Sequence, residues 1–186
     1  GPELHQHILH TTKWGPEVLD LVDWESHRLV LQATPHEVTM IKFIHGLLPV
    51  GARIKHYHPK YSDRCPTCLT AKETTLHFHH CTHPSRLKWK STFLTNLRKK
   101  AESLNTRPAL TEIMLEGIST FLSGAATLEM QGGPPRYSEL IRQQNSIGWL
   151  NFLRGRWSLE WSRLQSEHTK NLQRRQQSAQ PHNPHH

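Results

Sequence analysis

The stretch CPTCLTAKETTLHFHHC, residues 65–81, decides how this chain folds. Cys65 and Cys68 flank a two-residue turn, and His77 and Cys81 follow at a spacing of four, which one helical turn brings to the same face. A Cys-x-x-Cys turn followed by a second ligand pair is typical of tetrahedral zinc, and this set uses every cysteine in the chain. We therefore predict bound Zn²⁺, held by Cys65, Cys68, His77 and Cys81.

Four protein ligands leave no coordination position for a reacting water, so the predicted ion is structural rather than catalytic. Two alternatives stay open. The cysteines can be buried free thiols, which pack like small apolar side chains. In addition, His79, His80 or His83 can replace His77 as the fourth ligand, although His77 is favoured by its helical register with Cys81.

Composition predicts one modest globular unit. The chain has 186 residues, of which 35% are hydrophobic, enough for a single core with loose ends. Three cysteines make no disulfide framework, and no apolar run reaches the length of a membrane span. We expect an intracellular, nuclear protein without a membrane partner. Because it begins Gly-Pro, we expect a fragment of a longer polypeptide or a cloning scar.

Apolar residues recur at helical spacing in the segments 16–32, 38–48, 87–97 and 108–115, and Pro108 is placed to open the last of these. Between residues 55 and 81 the period is lost, as expected where a metal organises the backbone. The predicted fold is mainly α: a helical domain with a small irregular Cys-Cys-His-Cys zinc-knuckle insertion and a long C-terminal helix.

The break Gly132-Gly133-Pro134-Pro135 and the composition of the two ends suggest the domain boundaries. Gly148 and Gly155 fall inside the predicted C-terminal helix, where each costs about 1 kcal/mol, so they indicate a close contact or a break near Gly155. The predicted parts are a flexible N-terminal segment (1–16), a helical domain (17–131) containing the knuckle (65–81), a linker (132–136), a long helix (137–172) and a disordered tail (173–186).

Positive charge is concentrated around the cysteines. The formal net charge is +8, yet residues 53–100 alone carry eleven basic and two acidic side chains. Basic side chains interleaved with Tyr57, Tyr61 and Trp89 are typical of surfaces that bind nucleic acid, although we expect Trp89 itself to be a core residue. The predicted nucleic-acid contacts are Lys55, Lys60, Arg64, Arg86, Lys88, Lys90, Arg98, Lys99, Lys100, Arg154 and Arg156.

The string IKFIHGLLPVGARIKHYHPKYSDRCPTCLTAKETTLHFHHC, residues 41–81, resembles the region after the polymerase in the reverse transcriptase-like polyproteins of non-LTR (LINE-type) retrotransposons. The segment IGWLNFLRGRWSLEW, residues 147–161, resembles their final helical segment. The chain has no Tyr-x-Asp-Asp-like polymerase motif, and three residues separate His77 from Cys81 where four are more usual. The resemblance implies nucleic-acid binding that supports target-primed reverse transcription, with polymerase and endonuclease chemistry elsewhere in the polyprotein.

We therefore do not expect an enzyme. Asp20, Asp23 and Glu25 read as a solvated acidic helix face rather than a nuclease cluster, and the cysteines are better used on zinc than as nucleophiles. The expected function is a zinc-stabilised module that binds RNA or single-stranded DNA, with the rest of a polyprotein as a second partner. The alternative is a protein-interaction or scaffolding module in which zinc is purely structural.

Overall fold

The computed structural model describes residues 2–34, 36–129 and 133–179, and in these ranges it consists of helices without extended strands. The prediction of a mainly α fold is confirmed. The helices are α1 (Pro2–Thr12), α2 (Pro16–Leu19), α3 (Trp24–Ala33), α4 (Val38–Ile44), α5 (Gly51–Tyr57), α6 (Thr75–His80), α7 (Pro84–Ser103), α8 (Pro108–Leu122), α9 (Ser138–Ile147), α10 (Trp149–Leu153) and α11 (Leu159–Ala179). Across these ranges, no helix is both long and apolar enough to cross a membrane.

The core is centred on α8, which begins at Pro108 as predicted. Its side chains Leu110, Ile113 and Ile118 are each at most 2% exposed. Helix α7 packs alongside α8 through partly buried apolar residues, and α10 and α11 supply three of the five buried aromatic residues of the same cluster. The buried aromatic members are Phe121, Tyr137, Trp149, Phe152 and Trp161.

Gly117 lets α10 approach α8 closely. A Cβ atom placed on Gly117 would lie 2.1 Å from the six-membered ring of Trp149, far inside van der Waals contact. Trp149 is only 1% exposed, and its indole N–H donates to the Asn145 side chain at 2.9 Å, so the ring is fixed from two sides. The absence of a side chain at residue 117 is therefore a packing requirement.

The predicted helix over residues 137–172 is corrected to three helices. The chain ends in a long helix, but α11 begins at Leu159 and continues to Ala179. Gly148 and Gly155 have φ values of 96° and 77°, a conformation that interrupts a right-handed helix and that glycine adopts most readily. The break expected near Gly155 is thus present, and a second one occurs at Gly148.

The buried side chain of Gln144 holds these breaks in place. Its amide oxygen accepts hydrogen bonds from the Ser158 backbone N–H and the Trp161 indole, both at 3.0 Å. Its amide nitrogen donates to the Gly148 and Arg156 carbonyl oxygens, both at 3.4 Å. Because Gln144 is 0% exposed, these contacts replace the water that its amide loses on folding.

The N-terminal segment 1–16, predicted to be flexible, contains helix α1, and Ile8 on that helix is 4% exposed. Trp14 extends the contact, since its indole N–H donates to the Ile147 carbonyl oxygen at 3.1 Å. Val22 then forms an isolated antiparallel bridge with Ser158. Trp14 packs against the apolar cluster of Val18, Val22 and Ile147, and this contact fixes the C-terminal end of the segment on the C-terminal part of the chain.

Two further predicted parts are corrected within the described ranges. Residues 173–179 of the predicted tail belong to α11, while 180–186 lie outside the described residues. In the predicted linker, residue 132 is outside the described ranges, and Pro135–Tyr137 forms a 3-10 turn whose Tyr137 ring is buried. Helix propensity of the Gln- and Arg-rich sequence explains the longer α11.

Gly117→Ala is expected to lower the free energy of unfolding by about 1–3 kcal/mol, because the new methyl group displaces the Trp149 ring. In an ordinary exposed helix position the same change stabilises by roughly 1 kcal/mol. Urea unfolding measures the difference. The control is Ser119→Ala, at an exposed position of the same helix, which should change stability little. An equally stable or more stable Gly117→Ala variant would contradict the packing described here.

Candidate metal centre

The structure brings the four predicted ligands together. One sulfur or nitrogen atom from each of Cys65, Cys68, His77 and Cys81 lies within 4.8 Å of the other three. Within this cluster, Cys68 Sγ lies 3.4 Å from His77 Nε2, within hydrogen-bonding distance. Cys65 and Cys81 are each 1% exposed, so half of the donor set is screened from solvent. The cluster has the composition and the closeness to hold one metal ion.

The first two ligands lie on a small loop closed by backbone pairing. Arg64 and Lys72 form an isolated antiparallel bridge, and the Cys65 backbone N–H donates to the Ala71 carbonyl at 2.8 Å. Inside the loop, the Leu69 N–H donates to the Cys65 carbonyl at 2.9 Å, and Leu69 has a φ of 60°. This tight turn directs both thiols toward one point, in agreement with the predicted small irregular region.

The other two predicted ligands lie on the short helix α6 and at its C-terminal end, where Cys81 is the C-cap. Thr74 is the N-cap of α6, and its hydroxyl accepts from the His77 backbone N–H at 3.0 Å. At the other end, the Cys81 N–H donates to the His77 carbonyl at 2.8 Å. His77 and Cys81 are therefore one helical turn apart, as their spacing predicted. The Thr74 cap was not predicted, although a threonine three residues before His77 is a recognisable cap position.

The thiols of Cys68, which is partly exposed, and Cys81, which is buried, differ in acidity. Hydrogen bonds from the Thr70 hydroxyl and then from the Ala71 and Thr70 backbone N–H groups lower the pKa of Cys68 to about 5. Burial raises the pKa of Cys81, with the neighbouring Cys65 adding to the effect. A metal cation thus meets a ready thiolate at Cys68 and displaces a proton from Cys81.

The alternative fourth ligands lie outside the Cys₃His cluster, and His79 and His83 use Nδ1 in other contacts. His79 is buried, and its Nδ1 atom lies 2.7 Å from the Thr75 carbonyl oxygen. His80 packs edge-on against Phe121. The Nδ1 atom of His83 accepts from the Ser85 N–H as the N-cap of α7. The geometry therefore favours His77.

Lys90 connects the cluster to the helical core. Its ammonium group donates to the Cys81 carbonyl at 3.1 Å and to the Leu122 carbonyl, at the end of α8, at 2.9 Å. Only 9% of the residue is exposed, and no carboxylate in the described ranges pairs with it. A divalent ion with three thiolates carries a net charge of −1, which a buried ammonium group at this position offsets.

This placement corrects the predicted basic surface. Lys90 and Arg156 are buried, and both donate to backbone carbonyl oxygens. A phosphate backbone therefore cannot reach them. Arg154 is half-buried, and its Nε atom donates to the Phe43 carbonyl at 3.1 Å. Sequence position alone did not indicate these acceptors, because they come from distant segments.

The other predicted basic residues lie at or near the surface. Lys55 pairs with Asp63 at 3.4 Å, and Arg98 pairs with Glu112. Arg64 donates to the Thr70 carbonyl, while Arg86 donates to the Thr67 hydroxyl and lies over the Phe78 ring. Among the predicted contacts, the amines of Lys60, Lys88, Lys99 and Lys100 are exposed and make no contact with an acceptor in the described ranges.

Trp89 is not the core residue that its helical position predicted. It is 57% exposed and stacks on Phe93 with ring centroids 5.4 Å apart and planes 3° from parallel. Tyr57 and Tyr61 are 69% and 61% exposed. The end of α5, the residues just after it and the start of α7 thus present aromatic rings to solvent.

The acidic residues Asp20, Asp23 and Glu25 do not form a metal-binding group. Asp23 is buried as the N-cap of α3, where it accepts from the Ser26 N–H at 2.9 Å. Its exposure was therefore predicted incorrectly, and its role is to cap a helix. Asp20 and Glu25 are exposed, and Glu25 pairs with Arg28.

Comparison with known proteins adds no relative: no family model matches the chain, and neither a curated protein nor a solved structure matches it.

His77→Ala is expected to abolish stoichiometric binding of a transition metal, because it removes one of four donors. Titration with Co²⁺ measures this through the thiolate-to-cobalt absorption. His83→Ala is the matched control, since it removes the cap of α7 but leaves the donor set intact. Full Co²⁺ binding by the His77 variant, or its loss in the His83 variant, would move the fourth ligand elsewhere.

Lys90→Met is expected to weaken metal binding by about 10–100-fold, the usual effect of removing a group that supports a ligand. It also leaves two carbonyl oxygens without their donor, which costs about 1–3 kcal/mol for each group that stays buried and unsatisfied. Competition with a chelator measures affinity. The control is Lys88→Met, an exposed change on the same helix, which should match the wild type. Equal affinity in both variants would show that Lys90 does not support the site.

Proposed function

We propose that this protein is a zinc-stabilised module that binds RNA or single-stranded DNA and is not itself catalytic. The observation that carries the proposal is a group of four exposed amines within residues 53–100, the segment that also contains the Cys₃His cluster; those of Lys60, Lys88, Lys99 and Lys100 contact no acceptor in the described ranges. Exposed aromatic rings alternate with these amines along the sequence. Nucleic-acid-binding surfaces combine these two features.

Zinc is the ion that suits the cluster. Three thiolates and one imidazole are soft or borderline donors, which disfavours Mg²⁺ and Ca²⁺. Four protein donors complete a tetrahedron, which is the geometry of structural zinc sites. The ion would join the 65–68 loop to α6, and its binding free energy would then contribute to the stability of this region.

Unpaired bases suit the exposed aromatic residues better than a duplex. Trp89 is supported from behind by Phe93, so its outer face is available to stack on a base. Lys88 is its immediate neighbour, and Lys99 lies three turns further along the same face of α7. A single strand lying along this helix would contact amines through its phosphates and Trp89 through a base.

The resemblance of residues 41–81 to non-LTR retrotransposon polyproteins supports a specific setting for this activity. In that setting, the module would hold template or target strands during target-primed reverse transcription in the nucleus. Polymerase and endonuclease chemistry would belong to other parts of the polyprotein.

A protein-interaction module is the second candidate, and an apolar cleft favours it. The cleft has a volume of about 610 Å³ and lies between α7, α8, α10 and α11. Leu104, at its edge, is 63% exposed. A groove of this character suits an apolar face of another part of the polyprotein.

Lys88→Gln with Lys99→Gln is expected to weaken binding of a single-stranded oligonucleotide and to flatten its salt dependence. Each lost phosphate contact reduces the slope of log affinity against log salt by roughly 0.7. Trp89→Ala should instead weaken binding by about 1–3 kcal/mol with little change of slope, because stacking releases no counterions. Fluorescence anisotropy at several salt concentrations measures both quantities.

The control for this experiment is Lys170→Gln, which removes one exposed charge from α11. It should leave the salt slope nearly unchanged. If the wild type binds neither RNA nor single-stranded DNA at low salt, the nucleic-acid function is wrong and the interaction module remains. If the Lys88 and Lys99 variant keeps the wild-type slope, nucleic acid does not lie along α7.

A further inference from the structure

Three arginines converge on the C-terminal turn of α4. Arg154 Nε donates to the Phe43 carbonyl at 3.1 Å, and an amino group of Arg156 donates to the Ile44 carbonyl at 3.3 Å. Arg53 donates to the Gly46 carbonyl at 2.7 Å. Three guanidinium groups thus donate to carbonyl oxygens within residues 43–46; two of them come from the 154–156 turn and the third from α5.

None of these three arginines pairs with a carboxylate in the described ranges, unlike six other arginines of the chain. The negative end of α4 supplies only about half an elementary charge, against three positive charges. This excess of positive charge affects the pKa values of the residues around it. Burial and the neighbouring Arg154 lower the pKa of Arg156 to about 10, and burial together with Arg156, His7 and Arg154 lowers the pKa of His45.

Two of the guanidinium groups keep donors for a ligand. Arg154 and Arg53 are half-buried, and each uses only one nitrogen on a carbonyl within the described parts of the chain. Arg156, by contrast, is 6% exposed and serves as a fixed charge beneath them. The unused nitrogens of Arg154 and Arg53 are therefore the donors that a ligand can reach.

Both of these groups lie next to Gly46. This glycine has a φ of 70°, and a Cβ atom at this position would lie 3.2 Å from an amino nitrogen of Arg154. The Phe43 ring supports the same guanidinium group, with 5.8 Å between the ring centroid and the Arg154 Cζ atom. The Arg154 group is thus held in one orientation against the Cα side of Gly46, while the Gly46 carbonyl oxygen accepts from Arg53.

We propose that Arg53 and Arg154, with the exposed His45 beside them, form a binding site for a phosphate group. A guanidinium fork matches two oxygens of a phosphate, and a second fork with a fixed charge behind it supplies the remaining neutralisation. The phosphate can belong to a free phosphate compound or to a nucleic-acid backbone. Only the second source rests on the proposed nucleic-acid function.

Inorganic pyrophosphate is the direct probe of the site. Isothermal titration calorimetry at low salt should show saturable binding to the wild type and a loss of roughly tenfold or more in each of Arg53→Met and Arg154→Met. The matched control is Arg142→Met, a surface arginine paired with Glu139, which should bind like the wild type. Circular dichroism shows whether each variant is folded. If Arg154→Met does not fold, the comparison of Arg53→Met with the wild type decides the test.

The result that would overturn the site is an absence of saturable pyrophosphate binding by the wild type, or wild-type affinity in a folded Arg53 or Arg154 variant. The same variants are then titrated with a single-stranded oligonucleotide. Weaker oligonucleotide binding identifies the backbone as the phosphate source. Unchanged oligonucleotide binding alongside lost pyrophosphate binding supports the site and assigns it to a free phosphate compound. Failure of the wild type to bind any oligonucleotide overturns the proposed function but leaves the pyrophosphate result standing.

Discussion

The buried amide of Gln144 is the interaction on which the C-terminal half of the fold depends. Its hydrogen bonds to Ser158 and Trp161 reverse the chain after α10, so that α11 returns across the core rather than continuing from α9. This reversal places Trp157, Ser158 and Leu159 beside residues 21–23, where they form backbone hydrogen bonds with the N-terminal part. It also sets Arg154 and Arg156 against the end of α4. One polar side chain therefore organises three contacts between distant segments.

The metal cluster and the helical core are separate centres of organisation that meet at Lys90. The cluster gathers residues 65–81, where few apolar side chains are available, and the core gathers α7, α8, α10 and α11. Lys90 joins the carbonyl of a ligand residue to the end of α8. A buried ammonium group costs free energy unless its donors are satisfied, and here two carbonyl oxygens satisfy them. Loss of order in the cluster is thus transmitted to α8.

Sequence predicted what depends on short-range spacing. The clustering of Cys65, Cys68, His77 and Cys81 was predicted because cysteine turns and helical spacing act over a few residues, and α8 was predicted from Pro108 and its apolar period. Of the two breaks in the predicted C-terminal helix, only the one near Gly155 was predicted. Glycine permits a positive φ, but the hydrogen bonds of Gln144 decide where the helix breaks. The burial of Lys90 and Arg156 was missed because their acceptors are 9–112 residues away in the chain. Trp89 was misplaced because Phe93, rather than the core, supports its ring.

The pairing of the N-terminal part with the C-terminal part also constrains how the molecule folds. Asp23 and Ser162, which share a hydrogen bond, are 139 residues apart, and Trp14 and Ile147 are 133 residues apart. Closing such long loops costs conformational entropy before any contact compensates for the loss. These contacts also raise the contact order of a helical fold whose other contacts are mostly local. During synthesis, residues 14–23 emerge from the ribosome well before their partners exist. Residues 16–22 must therefore wait, with Val18 and Val22 exposed, until residues 147–162 have been translated.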